Sequence, residues 1–344
     1  MNSELIGNKK IAEALKRLVV NQSVPQSMIF SGPAGIGKKL FARNLAAALI
    51  CRSKNNGEAC NQCSPCQRIN NAQLTHSGEK AEDFDRVFFT SHPDFGLILP
   101  HKRMIRVEAI RSLEQEVNFR PFEADCRVFI IDDADRMNTQ AANALLKTLE
   151  EPPSYAYLIL ITSRFDSLLP TIVSRCQAIR FGAIQRTEIQ KYLTEKAGYS
   201  AEDAAKIAEF SDGSLADALR VDPESLEKDY ALIRNALESA IFKGSILEGL
   251  NLIEKVSAGE AEDFDLFLTQ LEQVLGRLLE SHILQSGSAN LSPNNRFSLN
   301  SDRLNQIIFE IESLRANLSV NLNRKVAGAS LFVKISELSE INRN

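Results

Sequence analysis

Gly32-Pro33-Ala34-Gly35-Ile36-Gly37-Lys38-Lys39 decides how the first half of the chain is interpreted. The run follows a short apolar segment, Ser27–Phe30, and leads into an Ala- and Leu-rich segment, Leu40–Ile50. A glycine-rich loop between a strand and a helix points its backbone N–H groups at phosphate oxygens, and the helix dipole adds positive potential there. The stretch therefore predicts a phosphate-binding loop in which Lys38 reaches the outer phosphates of a nucleotide.

Further apolar runs extend this pattern into an α/β domain. Arg127–Asp132 and Tyr157–Thr162 each predict a buried strand, and Asn138–Glu150 predicts a helix between them. Strands that alternate with helices indicate a parallel sheet covered on both faces. After about Phe181 only helical patterns follow, interrupted by a polar loop over 285–299. The predicted division is a P-loop α/β domain over 1–181, a small helical lid domain over 182–222 and an all-α domain over 223–344.

Composition narrows the class of protein. A chain of 344 residues with a net charge of −4 differs from a strongly basic nucleic-acid binder. It is also too long for a single compact core, in keeping with two or three domains. No apolar run approaches the length needed to cross a bilayer, and Met1–Lys10 lacks the apolar region of a secretory signal. These features predict a cytoplasmic location without membrane contact.

Two acids end the second predicted strand, and they stand where a nucleotide hydrolase keeps its metal site. Asp132 would organise the metal, and Asp133 would orient the attacking water, although that position usually holds the longer Glu. The residue after Lys38 is Lys39, whereas the P-loop pattern has Ser or Thr there to bind Mg²⁺ through a hydroxyl. Efficient ATP hydrolysis is therefore not expected. The loop either still binds nucleotide weakly or is kept for its shape.

Four cysteines predict a metal site. Cys51, Cys60, Cys63 and Cys66 have the spacing C-x8-C-x2-C-x2-C, and four thiolates so close in sequence can surround one Zn²⁺ tetrahedrally. Such a closed site is structural, since no ligand position is left for a substrate. The two remaining cysteines, Cys126 and Cys176, stand apart and are expected to be ordinary small or buried residues.

Several motifs together resemble the bacterial DNA polymerase III clamp-loader subunits of the AAA+ class. Besides the phosphate loop and the four cysteines, the matching segments are Leu5–Asn8, His92–Asp94, Asn143–Pro153 and Ser174–Cys176. The similarity covers about the first 220 residues. It implies an AAA+ P-loop domain with a zinc insertion, a helical lid and a helical collar that holds the subunits together.

Within that family, three departures distinguish motor subunits from a stator-type subunit. Motor subunits have Ser or Thr at the position of Lys39, Glu at that of Asp133, and a phosphate-sensing arginine at that of Ala216. Arg175 is kept. The resemblance therefore implies a subunit that does not hydrolyse ATP but supplies Arg175, as an arginine finger, to a neighbouring gamma or tau motor subunit. The implied partners also include the delta subunit, the sliding clamp and primed DNA.

Two other functions stay open from the sequence. The first is an active ATPase motor, which ATP turnover by the isolated protein would reveal. The second is a zinc-dependent DNA-binding module, for which the small basic cluster of His101, Lys102, Arg103 and Arg106 could supply a minor phosphate contact. An ordinary solvated surface is the alternative interpretation of that cluster.

Overall fold

The computed structural model describes residues 5–75, 80–102, 104–259, 261–286, 301–317 and 323–337. The chain divides into two units, Met1–Arg220 and Val221–Asn344. The finer division of the first unit into a P-loop domain and a lid stays a prediction. Among the described residues, no helix is both long and apolar enough to span a membrane.

One six-stranded sheet organises the first unit. Its spatial order is β2-β3-β4-β5-β1-β6, and every neighbouring pair is parallel except β2 with β3. The α/β class with a largely parallel sheet is therefore confirmed. The strands are β1 Ser27–Ser31, β2 Phe88–Phe89, β3 Phe95–Ile98, β4 Arg127–Ile131, β5 Ala156–Thr162 and β6 Gln177–Arg180.

The central strands form because their side chains are apolar on both faces. All five residues of β1 and all five of β4 are buried, as parallel strands covered by helices on both sides require. The predicted strands correspond to β1, β4 and β5, each within one residue at either end. Since parallel strands end at the same edge of a sheet, the loop after β1 and the acids after β4 lie on one edge, with β5 between their strands.

The rest of the first unit contains nine α-helices in its described residues. The predicted helix over Asn138–Glu150 begins one residue later, because the Asn138 side chain accepts a hydrogen bond from the Ala141 N–H at 2.8 Å and so caps the helix. The helices of the first unit are α1 Lys9–Val20, α2 Lys38–Ile50, α3 Ser64–Asn70, α4 Val107–Val117, α5 Thr139–Glu150, α6 Pro170–Val173, α7 Arg186–Lys196, α8 Ala201–Phe210 and α9 Leu215–Arg220.

The second unit is helical where the structure describes it, as predicted. Its core contains the apolar face of one long helix, with Phe264, Leu268, Leu271 and Leu275 almost fully buried. Most of the predicted polar loop, from residue 287, lies outside the described residues. The helices are α10 Pro223–Lys243, α11 Leu247–Ser257, α12 Ala261–Ser286, α13 Ser301–Asn317 and α14 Arg324–Ser336.

Candidate functional site

The phosphate loop joins the end of β1 to the first turn of α2. Gly35 and Gly37 have φ angles of 72° and 90°, which residues with a side chain rarely adopt. Lys38 begins α2, is buried, and its Nζ donates hydrogen bonds to the carbonyl oxygens of Gly32 at 2.6 Å and Pro33 at 2.5 Å. Burial lowers the pKa of Lys38 to about 8, although nearby carboxylates act in the opposite direction. The Lys38 ammonium is therefore bound by carbonyl groups of its own loop.

Lys39 contacts the first acid of the opposite strand end. Its Nζ lies 2.5 Å from Oδ2 of Asp132, whose side chain is only 12% exposed, and 3.3 Å from the carbonyl oxygen of Leu74. A P-loop Mg²⁺ site needs a hydroxyl after the loop lysine and an available carboxylate at the strand end. Here an ammonium stands at the first position and engages the second. The residues present do not fit the metal ion that this fold ordinarily holds.

The second acid lies in a strained part of the backbone. Asp133 has a φ of 46°, in the left-handed region, and its Oδ2 lies 3.3 Å from Nε of Arg136. Burial, followed by the charge of Asp132, raises the pKa of Asp133. The carboxylate is thus shared with an arginine of its own segment.

The segment that would sense phosphate packs directly on the loop. The N–H of Ala216 donates to the carbonyl oxygen of Gly35 at 3.1 Å. A β-carbon at Gly35 would lie 2.0 Å from Oγ of Ser214, so only glycine fits beneath this segment. The methyl group of Ala216 offers no donor to a phosphate. Ala216 therefore contacts the loop through its backbone and has no polar side-chain group there.

Arg175 follows α6, and its side chain is held by its own chain. Nε donates to Oε1 of Glu150 at 2.8 Å, Nη2 contacts the same oxygen, and Nη1 donates to the carbonyl oxygen of Thr171 at 2.8 Å. The Arg175 side chain is 31% exposed and that of Glu150 is 50% exposed. The guanidinium therefore lies at the surface in a solvated ion pair.

The four predicted metal ligands come together. Their sulfur atoms all lie within 4.8 Å of one another, with Cys51–Cys63 and Cys60–Cys66 pairs at 3.9 Å. Zn–S bonds of about 2.3 Å place tetrahedral sulfur atoms about 3.8 Å apart, so the cluster has the size of a metal site. Backbone N–H groups of Gln62 and Cys63 lower the pKa of the Cys60 thiol to about 6. These cysteines can hold a metal ion.

The remaining two cysteines lie outside this cluster, and Cys126 is buried whereas Cys176 is half-buried. Burial raises the pKa of Cys126 and of Cys176 to about 12, so both are poor nucleophiles near neutral pH.

The His92–Asp94 segment joins the cysteine module to the sheet. Asp94 is fully buried and accepts hydrogen bonds from the backbone N–H groups of residues 122–124. Arg68, which follows the last cysteine in α3, donates to Glu123 in that same loop at 3.1 Å. Buried Arg127 lies 3.6 Å from Asp94. The segment is thus a structural joint, which its sequence alone did not reveal.

Three further contacts were missed by the sequence analysis. Glu150 pairs with Arg175 although 25 residues separate them. Thr162, at the end of β5, donates to Asp135 at 2.6 Å, and Arg164 pairs with the same carboxylate. Thr162 is a polar residue at a strand end, which was a signal for its contact, whereas Glu150 ends a helix and gave no such signal.

The basic cluster does not form a free cationic face in the part of the chain that is described. Arg106 pairs with Asp85, the His101 ring lies 5.1 Å from that of Phe84, and Arg103 falls outside the described residues.

Comparisons with known proteins show similarity to subunits of DNA polymerase III. The family model described as DNA polymerase III, delta subunit matches residues 7–185. DNA polymerase III subunit gamma/tau of Mycoplasma genitalium is 30% identical over 290 residues, covering 78% of this chain and 45% of the relative. Subunit delta' of Bacillus subtilis is 32% identical over 187 residues, covering 54% and 51%. The chain therefore spans about half the length of these relatives.

Among solved structures, a DNA polymerase III gamma subunit-related protein from Thermotoga maritima aligns over 95% of this chain and 99% of its own. Its sequence identity is 20% and its TM-score is 0.41.

Proposed function

The chain belongs to the DNA polymerase III delta subunit family, and we propose that it is the delta prime-type stator of a sliding-clamp loader. In this proposal it hydrolyses no ATP itself. It supplies Arg175 to ATP bound on a neighbouring gamma or tau motor subunit, in an assembly with the delta subunit that loads the clamp onto primed DNA in the cytoplasm.

The contact between Lys39 and Asp132 carries the proposal. A catalytic metal needs the oxygen of a hydroxyl and the carboxylate of Asp132, whereas this chain joins that carboxylate to an ammonium 2.5 Å away. Ala216 removes a charged contact to the outermost phosphate, and Asp133 is shared with Arg136. These three features each disfavour ATP hydrolysis, through the metal ion, the phosphate contact and the attacking water in turn. They support a site that does not hydrolyse ATP.

Arg175 has the surroundings that a trans-acting arginine needs. Its ion pair with Glu150 is solvated, and exposed pairs of this kind contribute only about 0–1 kcal/mol. A phosphate group from a neighbour, which carries more negative charge than one carboxylate, can therefore compete for the guanidinium. The pair keeps the side chain ordered until that neighbour arrives.

Reconstitution tests this role. The chain is combined with gamma or tau and delta subunits, and clamp- and DNA-stimulated ATP hydrolysis is measured for wild type, Arg175→Ala and Arg186→Ala. The last variant removes an exposed arginine of α7 as a matched control. We expect Arg175→Ala to assemble but to slow hydrolysis at the neighbouring site by about 10³-fold or more, while Arg186→Ala is neutral. An assembled Arg175→Ala complex with wild-type turnover would contradict the proposal.

An active motor is the second candidate, because the gamma/tau relative matches a larger share of this chain than the delta' relative does. The isolated protein distinguishes the two, since a motor would hydrolyse ATP alone and a stator would not. A zinc-dependent DNA-binding module is less favoured, because Arg106 of the basic cluster is already paired.

We also propose that Zn²⁺ is the ion held by Cys51, Cys60, Cys63 and Cys66, and that it supplies rigidity rather than chemistry. Four sulfur ligands within 4.8 Å of one another favour zinc in a site without an open position. Metal analysis of the purified protein should give one zinc per chain. Cys63→Ser should lower that content and the melting temperature, whereas Cys176→Ser should leave the zinc content unchanged. Full zinc content in Cys63→Ser would contradict the assignment.

A further inference from the structure

The phosphate loop keeps its means of binding phosphate although its metal site is altered. Within the described part of the chain, the backbone N–H groups of residues 34–39 have no hydrogen-bond acceptor. Gly35 and Gly37 hold the loop in the conformation that turns successive N–H groups toward one anion. The capacity to bind an anion is therefore separable from the capacity to bind Mg²⁺.

Lys39 has one donor left for such an anion. An ammonium group carries three N–H donors. One reaches Asp132 and a second reaches the carbonyl oxygen of Leu74, and among the described residues the third has no acceptor. The Lys39 side chain is 29% exposed, so the ammonium is not sealed from solvent. The ammonium can contact a phosphate and neutralise the Asp132 carboxylate at the same time. Its positive charge would then offset both negative groups, as the charge of Mg²⁺ would otherwise do.

We propose that this loop binds the polyphosphate of a nucleotide without a divalent cation, with the ammonium of Lys39 in place of Mg²⁺. A free Asp132 carboxylate would repel the phosphates, and its pairing with Lys39 removes that repulsion. Mg²⁺ would have to displace the ammonium from a largely buried carboxylate and would find no hydroxyl ligand at position 39. Lys39 is thus a replacement for the metal rather than only the loss of a metal ligand.

Binding of ATP by this loop rests on the proposal that the loop does not hydrolyse ATP, but it does not depend on the action of Arg175. A chain that binds ATP without metal could still fail to act on a neighbour, and the reverse also holds. The two proposals therefore fail in separate experiments.

Titration calorimetry with ATP, in excess Mg²⁺ or in excess EDTA, tests the replacement. Wild type should bind ATP with the same Kd in both buffers, within about twofold. Lys39→Thr, which restores the hydroxyl, should bind about tenfold or more tightly in Mg²⁺ than in EDTA. Lys39→Arg should keep metal-independent binding. Lys191→Thr, which removes an exposed lysine of α7, should behave as wild type.

Either of two results for the wild-type protein would overturn the inference. One is an ATP affinity of wild type that falls about tenfold or more when EDTA replaces Mg²⁺, and the other is no ATP binding in either buffer. If circular dichroism shows that Lys39→Thr does not fold, Lys39→Met serves instead, because it offers neither a cation nor a metal ligand. It should lose ATP binding in both buffers, and wild-type affinity in EDTA would equally overturn the proposal.

Discussion

Lys39 and Arg175 each place a cation on a carboxylate of the first unit, but the two carboxylates have different surroundings. The cations are about equally exposed, at 29% and 31% of the side chain. Asp132 is only 12% exposed, whereas Glu150 is 50% exposed. A buried carboxylate has lost its water and depends on its partner, whereas a solvated one can exchange partners at little cost. The Lys39–Asp132 pair therefore holds the end of β4 in one arrangement, whereas the Arg175–Glu150 pair leaves the guanidinium able to bind another anion.

Breaking the Lys39–Asp132 pair should have the largest effect on stability. Asp132→Ala leaves the ammonium beside a cavity without its counter-charge, which we expect to lower the free energy of unfolding by about 3 kcal/mol. Urea denaturation measures it, with Asp166→Ala as an exposed control. Adding Lys39→Met to Asp132→Ala should recover part of the loss. A loss below about 0.5 kcal/mol for Asp132→Ala would mean that the pair is as weak as a surface one.

The buried lysine of the loop should give the next largest effect, through pH. Because burial lowers the pKa of Lys38 from its ordinary value of 10.5 to about 8 in the folded state, only the unfolded state keeps the proton between those values. The unfolded state then binds more protons, so stability should rise with pH in that window by about 2 kcal/mol. Lys38→Met removes this contribution. Denaturation of both proteins at pH 8 and pH 10.5 measures the difference, and parallel curves would contradict the burial of the charge.

The Arg175–Glu150 pair should give the smallest effect. Glu150→Gln should change the free energy of unfolding by less than about 1 kcal/mol, since exposed ion pairs contribute little. The reconstituted complex should keep most of its ATP turnover, because the phosphate of the neighbour replaces the carboxylate. Glu151→Gln is the matched control on the adjacent residue. A loss of turnover as large as that of Arg175→Ala would show that Glu150 is needed in the reaction itself.

The sequence predicted the elements whose signal is local. Apolar runs identified β1, β4 and β5, and the glycine spacing identified the loop between β1 and α2. Three strands were missed because they are short: β2 has two residues, β3 has four with a glycine among them, and β6 has four with exposed polar residues at both ends. Short strands are specified by their neighbours in the sheet rather than by their own composition.

In the candidate site, too, residues close in sequence were predicted and contacts between distant residues were not. The four cysteines were found because their ligands lie within sixteen residues, and the structure brings them together. The identity of Lys39 predicted a cation near the metal position. Its partner Asp132 could not be predicted, because only the sheet brings the ends of β1 and β4 to the same edge. Glu150 could not be predicted as the partner of Arg175, because that contact depends on how α5 meets the segment after α6.

The loop lysine Lys38 and the surface arginine Arg175 define the most direct test of the stator account. Single-turnover ATP hydrolysis is measured in two reconstituted complexes, one with Lys38→Met and one with Arg175→Ala in this chain. The account predicts wild-type hydrolysis with Lys38→Met, since no ATP is consumed at this loop, and a loss of about 10³-fold at one site with Arg175→Ala. The reverse pattern, hydrolysis lost with Lys38→Met and kept with Arg175→Ala, would mean that the chain is a motor.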